Sequence, residues 1–141
     1  MSVTTLNPYL NFDGKAGEAI ALYQRALDAT PTGPIMRYGD AQGMDVPPQL
    51  KDRVMHCALQ IGGGVLMLSD THPGEAATPN GAVSVALHLN DVDDATRKFN
   101  ALAEGGQIRQ PLVDTFWGAK FGMVTDAFGV HWMFNCELPK A

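Results

Sequence analysis

One succession of hydrophobic patterns occurs twice along this chain, and that repeat restricts the fold more than any single motif. In the first half, Leu6 to Phe12 alternates. Leu6, Pro8, Leu10 and Phe12 lie on one face and Asn7, Tyr9 and Asn11 on the other, the period of a half-buried strand. Asp13-Gly14 ends it, and Ala16, Ala19, Ile20, Tyr23, Ala26 and Leu27 then recur at helical spacing, predicting a helix over Lys15–Leu27. Ala29 to Pro34 is a breaker stretch, Ile35 to Tyr38 a short strand, and Gly39 to Lys51 an aperiodic segment read as a mobile loop. Arg53 to Ile61 alternates again, with Met55, Cys57, Leu59 and Ile61 opposite His56, Ala58 and Gln60. Gly62-Gly63-Gly64 turns this strand into Val65–Ser69, a hairpin.

The second half follows the same order. Val83, Val85, Leu87 and Leu89 alternate with Ser84, Ala86 and His88. Asp91 to Ala103 is a helix with an acidic first turn, suited to the helix dipole, and Gly105-Gly106 stops it. Gln107–Asp114, Lys120–Asp126 and Val130–Glu137 are three further strands, with Phe128-Gly129 as the last turn. Aligning Ala19 with Ala95, 76 positions apart, puts Tyr23 on Phe99. Aligning Gly63 with Gly129, 66 apart, puts Met67 on Met133 and Leu66 on Trp132. The long segment between Gly39 and Lys51 absorbs the difference. The expected architecture is therefore α+β, two tandem βαβββ modules in one domain, at about residues 4–70 and 82–138, joined by a polar linker over 71–81.

With 141 residues, 45% of them hydrophobic, the chain can bury one ordinary core. A net charge of −5 gives the wrong field for nucleic acid or an anionic membrane surface. No apolar run approaches the roughly 20 residues of a membrane span, and the first residues lack the basic-then-apolar pattern of a secretory leader. The expected compartment is the cytoplasm. Cys57 and Cys136 fall in strands without metal-site spacing, so both read as buried apolar thiols.

Several stretches carry a more specific likeness. Asn7-Pro8-Tyr9-Leu10 before Phe12-Asp13-Gly14, Arg53-Val54-Met55-His56, Gly62-Gly63-Gly64, Asp114-Thr115-Phe116-Trp117-Gly118, Phe121-Gly122-Met123 and Thr125-Asp126-Ala127-Phe128-Gly129-Val130-His131-Trp132-Met133-Phe134-Asn135 resemble the PhnB-like branch of the glyoxalase/bleomycin-resistance, or vicinal oxygen chelate, superfamily. The resemblance implies that each half curls its sheet into a half-open cup, that the sheet is mixed and eight-stranded with helices outside, and that chains pair as homodimers. Members of the branch have carried a ubiquinone methyltransferase label. No glycine-rich loop follows a strand here to hold a nucleotide-like cofactor, so that label is rejected.

Metal-using relatives place ligands on the first and last strands of each half. By that resemblance the positions fall at Asn7 or Pro8, Met67, Ser84 and Met133. Asparagine, serine and two thioethers are weak ligands for a divalent transition metal, so neither metal nor other cofactor is expected. Strand alternation instead directs Tyr9, Asn11, His56, Gln60, Ser69, His88, His131 and Asn135, with Met67 and Met133, toward the cavity. Convergent polar groups between adaptable thioethers suit a small organic molecule. His56 and His88 read either as ligand-anchoring groups or as hydrogen-bonded structural histidines. His131 reads as a rim residue and His72 as solvated. Phe116 and Trp117 read as a lid over a ligand or as packing between halves or subunits. Trp132 alternates with Phe134 and Cys136 and reads as core, and Asp70 and Asp126 read as turn caps. Ser69 and Ser84 have no nucleophile elbow. The expectation is a metal-independent small-molecule-binding protein. The alternative is a lyase, isomerase or dioxygenase in which His56, His88 and His131 or Glu137 are relocated metal ligands.

Overall fold

The computed structural model describes residues 2–40, 43, 45–71 and 82–139. The linker residues 72–81, His72 among them, and positions 41, 42 and 44 of the long loop lie outside the described residues. The chain divides into two compact units, Met1–Thr78 and Pro79–Ala141.

In the first unit, strand β1 (Tyr9–Phe12) precedes helix α1 (Ala16–Leu27). Strands β2 (Thr30–Pro31), β3 (Met36–Arg37), β4 (Val54–Ile61) and β5 (Gly64–Asp70) follow. The sheet order is β1-β5-β4-β2, with β3 also on β4. β1 runs parallel to β5, and β4 and β5 form the antiparallel hairpin expected at the glycine turn. β1 is shorter than its alternation predicts. β5 begins only at Gly64, which this register sets opposite Leu6, so residues before Leu6 have no β5 neighbour to pair with, and Leu6 is exposed. The Asn7 side-chain amide donates to the Val65 carbonyl, taking the place of a ladder amide. The breaker stretch also yields the two-residue strand β2, because Thr30 and Pro31 lie along β4 opposite Gln60 and Leu59.

α1 buries Ala16, Ala19, Ile20, Leu22, Tyr23, Ala26 and Leu27, the face its spacing predicts. Under it the sheet contributes Cys57, Leu59, Leu66 and Leu68, all buried. The expected alternation of β4 fails at its start. Val54 is buried and Met55 only half-buried, because the β3–β4 register slips between Met36 and Arg37. The segment read as a mobile loop is tied at its base. Tyr38 and Gly39 amides donate to the carbonyls of Arg53 and Lys51, Tyr38 is buried, and Pro48–Leu50 makes a turn of 3-10 helix.

In the second unit, β6 (Val85–Leu89) is followed by helix α2 (Val92–Ala103) and strands β7 (Gln107–Asp114), β8 (Ala119–Thr125) and β9 (His131–Glu137). The sheet order is β6-β9-β8-β7, with β6 parallel to β9 and the other pairs antiparallel. Val83 and Ser84 precede the strand instead of opening it, and Val83 is exposed. α2 buries Ala95, Phe99 and Leu102 beside Val124, Trp132, Phe134 and Cys136 of the sheet. Gly106 is fixed by close approach: a Cβ there would lie 2.1 Å from the Thr125 carbonyl oxygen. The fold class is thus α+β with two βαβββ repeats, the eight expected strands plus β2 being shared between two mixed sheets.

Candidate functional site

Each sheet has a helix on one face, and the residues expected in a binding cavity project from the other. They divide between the two units. Tyr9, His56, Met67 and Ser69 belong to the first, and His88, Phe116, Trp117, Met133 and Asn135 to the second.

In the first unit, Tyr9 pairs with Met67 across β1 and β5, and Asn11 with Ser69. The hydroxyl of Tyr9 is 3.0 Å from Nδ1 of His56, and the two rings tilt against each other at 5.7 Å. His56 is opposite Met36, and both Tyr9 and Met36 are exposed. Ser69 departs from the expectation. It is buried, and its hydroxyl donates to the Asn11 side-chain carbonyl, so it supports the face without offering a group to a ligand. Gln60 folds back onto the turn, donating to the Gly62 carbonyl.

In the second unit, the register across β6, β9 and β8 sets Ala86, Met133 and Met123 in one row and His88, Asn135 and Phe121 in the next. The Trp117 indole N–H donates to Asn135 Oδ1 at 3.1 Å. Its ring meets Phe121 edge-on at 5.9 Å and Phe116 edge-on at 5.0 Å. Trp117 is nonetheless 53% exposed and Phe116 97%, so a hydrogen bond and a ring contact fix an aromatic surface that stays uncovered in this chain. His131 is half-buried beside Thr125 and Arg109. Its Nδ1 is 2.8 Å from the Thr125 hydroxyl and 3.5 Å from Arg109. Sequence reasoning missed Phe121, Met123 and Met36, which read only as strand residues. Pairing them with named candidates needs the register.

Asp126 caps its own turn as expected, accepting from the amides of Phe128 and Val130. It also accepts from the indole N–H of the buried Trp132. The turn after Asp70 lies outside the described residues, and among the described ones its carboxylate serves other amides. It reaches back to the amides of Ala16 and Val54. Both cysteines are buried as expected, and burial raises the pKa of each thiol, against a smaller opposing pull of Arg37 on Cys57. Neither is therefore a ready thiolate near neutral pH.

The profile of the Glyoxalase/Bleomycin resistance protein/Dioxygenase superfamily matches residues 5–134. The chain belongs to this superfamily. It is 34% identical over 138 residues to protein YjdN of Escherichia coli, covering 92% of this chain and 93% of that one. The crystal structure of protein PA1353 from Pseudomonas aeruginosa is 41% identical and superposes with a TM-score of 0.85, over 97% of this chain and all of that one. A PhnB protein from Bacillus cereus, carrying the provisional name 3-demethylubiquinone-9 3-methyltransferase, is 27% identical with a TM-score of 0.73, over 94% and 99% of the two chains. These likenesses support the PhnB-like branch.

Within the superfamily frame, the paired registers resolve the ambiguity at the first strand. Tyr9 is opposite Met67 and Ala86 opposite Met133, so Asn7 and not Pro8 corresponds to Ser84. The resulting set is Asn7, Met67, Ser84 and Met133. Its donors do not fit a divalent metal: two of the four are thioethers, weak ligands for hard or borderline cations, and the other two are a neutral amide and a hydroxyl. Among the described residues no three or more His, Cys, Asp or Glu side chains are gathered as a metal site. Among the described residues no helix is long and apolar enough to cross a membrane.

Proposed function

We infer that the protein binds a small planar apolar molecule without a metal ion, on the helix-free face of the second unit. The observation that carries this reading is Trp117. An indole held by Asn135 and braced by Phe121 loses little freedom on meeting a ligand, and its remaining exposed surface is apolar area that a ligand can remove from water. Met123 and Met133 beside it can adapt to ligand shape, and His88 adds a polar group in the Asn135 row. The Tyr9–His56 pair is a second candidate surface, on the first unit. The reading includes homodimerisation, as the superfamily resemblance implies, and a reducing compartment, which two free buried thiols suit. The alternative, a metal enzyme with relocated histidine ligands, has no gathered donor set in its favour among the described residues.

The test is a thermal-shift series with naphthalene, indole and biphenyl derivatives. A binder at about a hundred times its Kd should stabilise the chain by about 2.7 kcal/mol. Trp117→Ala should abolish most of that shift while leaving the unliganded Tm within a degree or two, and EDTA should change nothing. If Trp117→Ala instead lowers the unliganded Tm and leaves ligand shifts intact, Trp117 is packing and the reading is wrong.

A further inference from the structure

Strand β7 is longer than the length of β8 that it pairs with. Ile108 is opposite Val124 and Gln110 opposite Met123, so Arg109 is an extra residue within one step of β8. A second slip, between Gln110 and Val113, accommodates Pro111, which has no amide hydrogen to give to a ladder. Bulges redirect side chains. Gln107 and Gln110 pair with Thr125 and Met123, on the face away from α2, and the bulge brings Arg109 onto that face as well, beside His131. The Arg109 guanidinium lies 3.5 Å from Nδ1 of His131, at the limit of hydrogen-bond reach, and the Thr125 hydroxyl is 2.8 Å from the same atom. The corner therefore offers the guanidinium hydrogens of Arg109 as charged donors beside the His131 ring.

Among the described residues no carboxylate forms an ion pair with Arg109. The second unit's acids are committed or elsewhere. Asp126 serves Phe128, Val130 and Trp132, Asp114 pairs with Lys120, and Asp91, Asp93 and Asp94 belong to the start of α2. Glu104 follows that helix, and Glu137 is at the far end of β9. His131 and Asn135 are four residues apart on one strand face, a separation of about 13 Å. The Arg109 corner and the Trp117 surface are thus the two ends of one strip, with Met133 between them.

We propose that Arg109, with His131 beside it, is a carboxylate-binding site, and that the molecule bound against Trp117 is an apolar acid whose planar body lies along β9. This rests on the Trp117 reading above and adds the substrate class. The guanidinium supplies charge-assisted hydrogen bonds in a fork matched to a carboxylate.

The experiment is calorimetric titration of the full chain with 4-biphenylcarboxylate and with 4-biphenylmethanol, its uncharged counterpart. Wild type should bind the acid roughly tenfold more tightly than the alcohol. Arg109→Gln should bring the acid to the level of the alcohol and leave the alcohol unchanged, whereas Trp117→Ala should weaken both alike. Equal affinity of wild type for acid and alcohol, or an Arg109→Gln variant that keeps the preference, would overturn the carboxylate site while leaving the Trp117 reading standing. A Trp117→Ala variant that binds both as well as wild type, with the acid preference still lost in Arg109→Gln, would overturn the Trp117 reading and keep the carboxylate site. Binding of neither compound by wild type overturns both.

Discussion

The two units repeat one plan but cap their helices differently. α2 carries its own cap: Asp91 precedes it and its carboxylate accepts the Asp94 amide at 3.0 Å. α1 has Lys15 at that place, with no side-chain cap. Its first amide, of Ala16, donates to Asp70 Oδ1, 54 residues away at the end of β5, while Oδ2 takes the Val54 amide. In the second unit the register places Cys136 where the first has Asp70, since Phe12 pairs with Asp70 and Leu89 with Cys136. A carboxylate that is part of the sheet in one repeat has become part of the loop in the other. Either solution satisfies an orphaned helix amide, but only the remote one also ties helix to sheet.

The largest expected effect tests that difference. Asp70 is 3% exposed, and Asp70→Ala leaves the amides of Ala16 and Val54 without the acceptor they share, at a cost of about 3 kcal/mol. Asp91→Ala removes an exposed local cap and should cost about 1 kcal/mol. Urea midpoints at constant m-value measure both. Equal losses would mean that the sheet-borne carboxylate does no more than an ordinary cap.

A second difference lies under the helices. Cys57 is opposite Leu68 in the first unit, and the corresponding second-unit pair is Gly122 opposite Phe134. The larger ring is matched by the smaller neighbour, and Phe134 meets Phe99 of α2 edge-on at 5.1 Å. A Cβ on Gly122 would lie 2.9 Å from the Phe99 ring, 3.0 Å from Leu112 and 3.1 Å from the Gln110 carbonyl. Gly122→Ala should therefore destabilise by about 2 kcal/mol through overpacking. Combined with Phe99→Leu it should cost less than the sum of the two single changes by about 1 kcal/mol, because the residues touch. Strict additivity in the same unfolding experiment would show that ring and glycine are not fitted to each other.

These contrasts mark how far the sequence could be read. The repeat was legible because Ala19/Ala95 and Tyr23/Phe99 keep helical spacing, and both helices are 12 residues long with those residues buried. The candidate face was legible in part, since alternation selects Tyr9, Met67, His88, Met133 and Asn135 without pairing them. What escaped depends on partners distant in sequence. The bonds of Asp70 to the amides of Ala16 and Val54 escaped because those partners are 54 and 16 residues upstream. Arg109 was unremarkable because a bulge is a property of two strands together, although Pro111 inside the Gln107–Asp114 pattern hinted at one. Ser69 pointed to the correct face, but its burial and its bond to Asn11 follow from the parallel pairing of β1 with β5.

The smallest expected effect compares the first turns of the two helices. At the start of α1 Lys15 pairs with Glu18, both 63% exposed, and such a pair contributes next to nothing. In α2, Asp94 meets Lys98, whose side chain is 14% exposed, and Arg97. The hydrogen bond from Lys98 is the main cause holding the Asp94 carboxyl below the ordinary aspartate range, with the charges of Lys98 and Arg97 acting the same way. After allowance for solvent screening, Asp94→Asn should cost about 0.5 kcal/mol at neutral pH, and Glu18→Gln about nothing. The sign follows from the depressed folded-state pKa. The contribution is fully present above the unfolded value of about 3.9 and disappears as pH falls through the lower folded value. The stability gap between wild type and Asp94→Asn should thus be constant from about pH 8 to pH 5 and close below about pH 4. A gap that persists undiminished in acid would show that Asp94 acts through packing or backbone geometry, and the electrostatic contrast between the two helix starts would then fail.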